Sequence, residues 1–544
     1  MRYLSENKRE DMRMKKRTAA RSMAALMGAA MVLTACGGGS TTAPTTGASS
    51  GGETQTASES AESGKITKTD IVVGQASDIV TLDPAGQQDT TSGVLMKHAY
   101  STLLDVDNEG KVVPDLAESY EMKSDTEYVF KLREDACFWD GTPVTAQDVK
   151  FSLDRAKGMP KTKSNTSKIE EITVNGDHEV TIKLTEPYAA FKTIVTQHNL
   201  SILSEKVVTE AGDSYGDVDN LLGSGPFKVT EWVPNDHYTL VRNDNYWGEM
   251  PIATSITCRV IPEGSARTIA LEAGEIDVVW SVDPTDCANV ESNPDVKLLS
   301  QPSTGIDYVG MNTQKEKFSD KRVRQAINYA LDKQAFVDTI IEGRGLVANS
   351  YINAAIPGWT DEVEAYPYDP EKAKELLAEA GYPDGFECSI FVNGDLRTRS
   401  AQILQAQLAD VGIKVDISTY EWGALLDTLN AGEHEMFLLG WSNTSFDPDG
   451  STYQLFYSGN HGATGNRAFF SNDKVDELIL SAQRESEESK RMELYKELQF
   501  VLHEESPWCP LYYKENNVGV RADLKGFTLH AGAQHYLGNC HYEE

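Results

Sequence analysis

The chain has 544 residues, 50 of them basic and 83 acidic, for a formal net charge of −33. That length exceeds what one hydrophobic core serves, so two or more lobes are expected. The acidic balance excludes nucleic acid, whose phosphates require Lys and Arg, and argues against docking on anionic lipid.

The amino terminus has the pattern of a processing signal. Lys15, Lys16, Arg17 and Arg21 precede a mostly apolar run, residues 23–35, too short to span a bilayer comfortably. The run ends in Leu33-Thr34-Ala35-Cys36. A small residue before Cys is similar to the bacterial lipobox. The likeness implies a signal peptide over 1–35, cleavage before Cys36 and lipidation of that residue; an ordinary signal peptide with an incidental Cys is the alternative. Glu6, Glu10 and Asp11 are out of keeping with a signal start, and Met14 would begin a conventional one. Residues 36–65 begin with the lipidated Cys and continue in Gly, Ser, Thr, Ala and Glu. Such a composition cannot offset its ordering entropy and predicts a disordered tether, with ends roughly 30 Å apart. No later stretch is apolar over a membrane-spanning length.

Beyond the signal, residues 70–260 predict mainly strands and turns. Ile71-Val72-Val73 is a short apolar strand. Residues 127–132 alternate, with Tyr128, Phe130 and Leu132 on one face, and Val180, Ile182 and Leu184 do the same. Thr145 with Asp148 is similar to a capping box opening a helix that carries Val149 and Leu153 inward. Residues 320–505 become helix-rich. Asp320 caps a helix striped by Val323, Ile327, Ala330 and Leu331; Asp369-Pro370 opens another that stops at Gly381. A helix over 400–411 stops at Gly412, and the strand 413–417 follows directly. This alternation predicts an α/β fold, a mixed sheet with covering helices. Cys137, Cys258, Cys287, Cys388, Cys509 and Cys540 contain no CxxC pair, which weakens a zinc or redox reading; disulfides and buried free thiols both stay open.

Several segments, in order, resemble one family. They include Trp139-Asp140-Gly141-Thr142-Pro143-Val144-Thr145-Ala146-Gln147-Asp148-Val149 and Gly225-Pro226-Phe227-Lys228 running to Arg242-Asn243-Asp244-Asn245-Tyr246-Trp247-Gly248. Leu271 to Val278, Asn312 to Asp338, Tyr368 to Tyr382 and Gln405 to Gly450 continue the match. Together they resemble the extracytoplasmic solute-binding proteins, family 5, which feed peptide and nickel ABC importers. The resemblance implies a periplasmic-binding-protein-like two-lobe clamshell with an extra inserted subdomain. Lobe I would comprise 66–307 plus 516–544, with the insertion near 112–225, and lobe II would comprise 308–515. The chain would cross between lobes twice, which permits hinge closure around a ligand.

The resemblance also implies where the ligand sits. The loop Gly440 to Gly450 follows the strand Met436–Leu439, at a carboxyl end favoured by ligand crevices. Here Trp441 offers a flat face with one N–H donor, and Ser442, Asn443, Thr444, Ser445 and Asp447 offer polar groups; Trp441 as plain core is the alternative. Trp422 opens a helix and either lines the cleft or packs in the core. Ser77 and Asp78 belong to a first-lobe loop, Tyr308 and Asn312 to the crossover. Arg467 either meets a carboxylate or faces water. Peptide binders of the family commonly carry an Asp where this chain has Thr444, so the usual amine anchor is missing, or Asp447 or Asp449 has taken over. Arg397 and Arg399 lie on a helix flank, where they either hold a carboxylate or face water. A short peptide leads as ligand; an oligosaccharide, an opine or a metal chelate rivals it. His434 and His461 are isolated, which does not favour bare nickel.

Catalytic motifs are thin: no GxSxG elbow and no P-loop occur, and Pro507 stands where HExxH needs its second His. The expected role is therefore non-enzymatic, with no catalytic residue, cofactor or metal. A monomer tethered by lipid to the extracytoplasmic face of the cell membrane would hand its solute to an ABC permease and its ATPase. A sensory or adhesive lipoprotein and a secreted hydrolase are the alternatives.

Overall fold

The computed structural model describes residues 65–544. The signal, the lipobox Cys36 and the tether therefore lie outside the described residues. An 11-stranded mixed sheet runs through the whole body. From one edge, its order is 413–419, 386–392, 436–442, 296–311, 508–521, 278–279, 70–75, 255–260, 237–242 and 227–233, with 345–347 pairing on 508–521. The strands Val296–Met311 and Trp508–Arg521 run antiparallel and are much longer than the rest. Each serves both halves of the sheet, so these two strands carry the chain between the lobes of a two-lobe clamshell.

A second sheet of four strands, in the order 117–124, 127–132, 179–184 and 169–174, occupies the region expected as an insertion. Its inward face is the alternating set Tyr128, Phe130, Leu132, Val180, Ile182 and Leu184, all buried. The helix Ala146–Gly158 covers that face, and its Thr145–Asp148 capping box forms in full. Region 70–260 is more helical than expected, because Thr90–Ala99 and Glu205–Ala211 are also helices.

In the second lobe, Lys321–Ala330 is capped by Asp320 and Pro370–Glu379 by Asp369. The next helix spans Gly394–Ala409, starting earlier than its apolar pattern suggested. The polar first turns carry no stripe, since they face the space between the lobes rather than a core. Gly412 follows at φ +90°, a conformation that turns the chain straight into the strand Ile413–Thr419. All six described cysteines are free thiols, five of them buried.

The motif Gly225-Pro226-Phe227 has a steric origin. A Cβ at Gly225 would lie 2.6 Å from the Ala99 carbonyl carbon and 2.7 Å from the His98 oxygen. The Gly225 N–H donates to the Ala99 carbonyl, so the two backbones touch directly. Gly225→Ala is expected to cost about 1–3 kcal/mol by overpacking, read as a lower urea midpoint.

Candidate functional site

Between the lobes lies a cavity of about 400 Å³, within the range of small-molecule sites. Pairing of the second-lobe strand 436–442 on the crossover strand places its end there: Trp441 sits opposite Ile306 and Ser442 opposite Gly305. Trp441 and Ser442 line the cavity, as do Thr444, Trp422, Arg467 and Ser77. Trp441 donates to the Gly450 carbonyl at 3.0 Å, which braces the loop while leaving the ring face open.

The remaining expected residues have other work. Asn443 is buried and ties the loop together, donating to the Asp447 carbonyl and Ser451 Oγ, both at 2.7 Å. Ser445 donates to Asn443 Oδ1. Asp447 accepts a two-pronged pair from Arg491 at 2.6 and 2.9 Å, so it cannot anchor a ligand amine. Asp449 accepts from the Tyr188 hydroxyl at 2.6 Å and from Gln483 at 2.9 Å, which removes it too. Asp78 fastens a first-lobe turn, accepting from Trp232 Nε1 and the Asn235 N–H. Asn312 is buried and donates to the carbonyls of Gly432 and His434. Tyr308 lies beneath the cavity, stacked on Trp508 with ring centroids 3.4 Å apart.

Neither Arg397 nor Arg399 simply faces water. Arg397 lines the cavity: its guanidinium lies 6.0 Å from the Trp422 ring centre and 3.8 Å from Asp307. Arg399 reaches across to Asp283 at 2.7 Å, fastening lobe to lobe. Other inter-lobe bonds run from Gln88 to Gln454, at 3.1 Å, and from Thr444 to Gln197, also at 3.1 Å. These bonds link the two lobes near the cavity.

Sequence reasoning missed Gln88, Asp89, Trp280, Lys514, Gln534 and His535, which also line the cavity. Nothing in their local pattern marks them except Asp89, which precedes Thr90-Thr91-Ser92 as a helix cap. Among the lining residues, Gln88 Oε1, Trp280 Nε1, Arg397 Nε and Gln534 Oε1 are buried polar atoms without a hydrogen-bond partner in the protein. A solute in the cavity can satisfy such atoms. Burial raises the pKa of Asp89 above the usual carboxylate range, against the pull of its Ser92 hydrogen bonds, of Lys161 and of a hydrogen bond from Trp422. Burial pushes Arg467 down, with no opposing carboxylate in contact. His198 and His535 are pushed down to about 3 by burial and are neutral. Among the described residues, no cluster of three or more His, Cys, Asp or Glu could hold a metal ion.

A clamshell with a partly polar inter-lobe cavity is the architecture of a solute-binding protein. The chain matches the model of the bacterial extracellular solute-binding proteins, family 5, over residues 111–463, and it belongs to that family. It is 32% identical over 479 residues to the glutathione-binding protein GsiB of Shigella boydii, covering 85% of this chain and 92% of GsiB. The periplasmic binding protein DppA of Helicobacter pylori, solved in complex with the peptide STSA, superposes with a TM-score of 0.84 at 28% identity. That match covers 88% of this chain and 99% of DppA. AgaA of A. tumefaciens R10, in complex with agropinic acid, gives 0.81 at 27% identity, covering 87% of this chain and 99% of AgaA.

Proposed function

We propose that this protein captures a small peptide-like solute in the inter-lobe cavity and delivers it unchanged to an ABC permease and its ATPase. The observation carrying this reading is an inter-lobe cavity whose lining, drawn from both lobes, holds buried polar atoms without a protein partner, among them those of Gln88, Trp280, Arg397 and Gln534. Backbone amides, termini and carboxylates of a short peptide present the donors and acceptors that such a lining lacks. The relatives point the same way, since glutathione and a peptide stand in their names. At about 400 Å³ the cavity is near the small end of such sites, which favours two or three residues over a long peptide. The same reading makes the chain a monomer held to the extracytoplasmic face by lipid on Cys36, behind a signal peptide and tether. It carries out no chemistry on its ligand.

A thermal-shift screen over di- to pentapeptides, glutathione, oligosaccharides and metal chelates tests the ligand class. Stabilisation by short peptides is expected; stabilisation by sugars or chelates alone overturns it. Trp422→Ala and Trp441→Ala are each expected to weaken binding by about tenfold or more, measured by calorimetry, with the folded state retained. Unchanged affinity in both variants places the ligand elsewhere.

A further inference from the structure

Ala533, Gln534 and His535, which line the cavity, belong to an irregular segment, residues 530–537, with no helix or strand to pair its backbone. Histidine rings do so instead. The Gly532 and Gln534 N–H groups donate to His530 Nδ1 at 3.1 and 3.4 Å, and the His530 N–H donates to His535 Nδ1 at 3.1 Å. The Leu537 N–H donates to His98 Nε2 at 3.0 Å, while His98 Nδ1 donates to the Val94 carbonyl at 2.8 Å. A backbone N–H can only donate, so each accepting ring nitrogen carries no proton. All three rings are buried.

The segment also touches the ligand loop and the crossover strand. The Thr304 N–H donates to the Ala531 carbonyl at 3.1 Å. The His530 ring meets the Phe446 ring edge-on, with centroids 5.6 Å apart, and a Cβ at Gly532 would lie 3.3 Å from Thr444 Cα. Ala533 sits at φ +57°, a strained conformation for a residue with a Cβ, which the surrounding ties hold in place.

Protonation fills the accepting nitrogen. The bond is then lost, and two N–H groups face each other in a buried place. Around His98 and His530, Lys97 opposes protonation; Asp105, paired with Lys97 at 3.2 Å, and Asp107 favour it at His530. His198 is a further neutral ring of this cluster, and Asp115, raised to about 7, carries little charge in acid. The rings of Phe227 and Tyr536 pack on His98, and those of Trp280 and Phe527 on His535. Burial is the largest influence on each of the three: in place they refuse a proton that the free side chain accepts below about 6.5. The ties are therefore at full strength above that pH and weaken as it falls. Between pH 7 and pH 5 the loosened form gains about twentyfold for each histidine that regains its free value.

We infer that residues 530–537 form a proton-sensitive wall of the cavity, held by neutral histidines at pH 7 and loosened in acid, so that captured solute is released as the surroundings acidify. The consequence for solute rests on the cavity reading above; the loosening itself does not.

The test is hydrogen exchange on the full folded chain at pH 7 and pH 5, corrected for the intrinsic pH dependence of exchange and made without solute. At pH 5 the amides of His530, Gly532, Gln534 and Leu537 are expected to lose about twentyfold or more of their protection, and to exchange ahead of the second-lobe strands 386–392 and 413–419. Unchanged protection overturns the inference. So does exchange no earlier than in those strands, which marks global unfolding. His530→Asn offers an acceptor oxygen in place of Nδ1 but takes up no proton, so its loss between the two pH values is expected to shrink by about twentyfold. The full natural loss in that variant also overturns the inference. Should His530→Asn fail to fold, the comparison on the natural chain still decides. The solute-binding reading is judged separately, by the thermal screen.

Discussion

Acidification from pH 7 to pH 5 is expected to lower the stability of this protein steeply. Burial pushes His98, His434, His503 and His530 down to about 4, and His198 and His535 down to about 3. In the unfolded chain each has a value of about 6.5. Between these limits the unfolded state binds protons that the folded state refuses, so stability is lost as pH falls below about 6.5. Two buried carboxyls act in the opposite sense. Asp115 is raised to about 7 by burial and by neighbouring Asp105, and Asp449 to about 6 by burial and by Asp447. The folded state takes up those protons first, which stabilises it on acidification. Six histidines against two carboxyls leave about four protons in favour of unfolding, or about 5 kcal/mol per pH unit around pH 5–6. Lys97 and Asp105, which face His198 and His530 with opposite charges, offset one another at that cluster. Urea midpoints at pH 7, 6 and 5 check this; a midpoint that stays level or rises contradicts it.

The second large effect is expected at the pair that holds the ligand loop. Arg491, on the helix Glu488–Glu505, grips Asp447 with both guanidinium nitrogens and receives further support from the Ala482 carbonyl and the Tyr495 hydroxyl. Asp447 also accepts from the Asp449 N–H at 2.9 Å, shaping the turn that begins the helix Asp449–Phe456. Asp447→Ala strands a buried guanidinium, at a cost of about 3–5 kcal/mol. The urea midpoint should fall accordingly, and solute affinity should fall with it, because Trp441, Ser442 and Thr444 lean on the same loop. Adding Arg491→Met to the Asp447→Ala chain removes the stranded charge and should restore part of the midpoint. A double variant no better than the single one means that loop packing, rather than the ion pair, sets the cost.

How much of this was legible beforehand depends on the range of the interaction. Helix caps at Thr145, Asp320 and Asp369 are bonds within three residues, and each formed where its local pattern placed it. The alternating strands 127–132 and 179–184 follow from a two-residue period. The loop carrying Trp441 was identifiable because its segment resembles a family whose cleft is built from that element. Within the loop, residue type misled: Asn443 and Ser445 are as polar as Ser442 and Thr444, yet they bond to the loop itself, and Asp447 bonds to Arg491 on the helix Glu488–Glu505. Alternation between inward and outward positions in an irregular loop follows no period, so the two groups look alike in one dimension.

Composition and local pattern by themselves determined an acidic chain of more than one lobe, its α/β class, its main element types and, by resemblance, its family. Only the tertiary structure decided which side chains meet across the cleft. Gln88 and Gln454 are hundreds of residues apart, and Trp280, Arg397 and Gln534 come from three further segments. Their neighbourhood arises from two long strands that pass between the lobes and bring their faces together. Burial, which leaves some of these polar atoms unpaired and others satisfied, is a property of that cavity and exists in no segment alone.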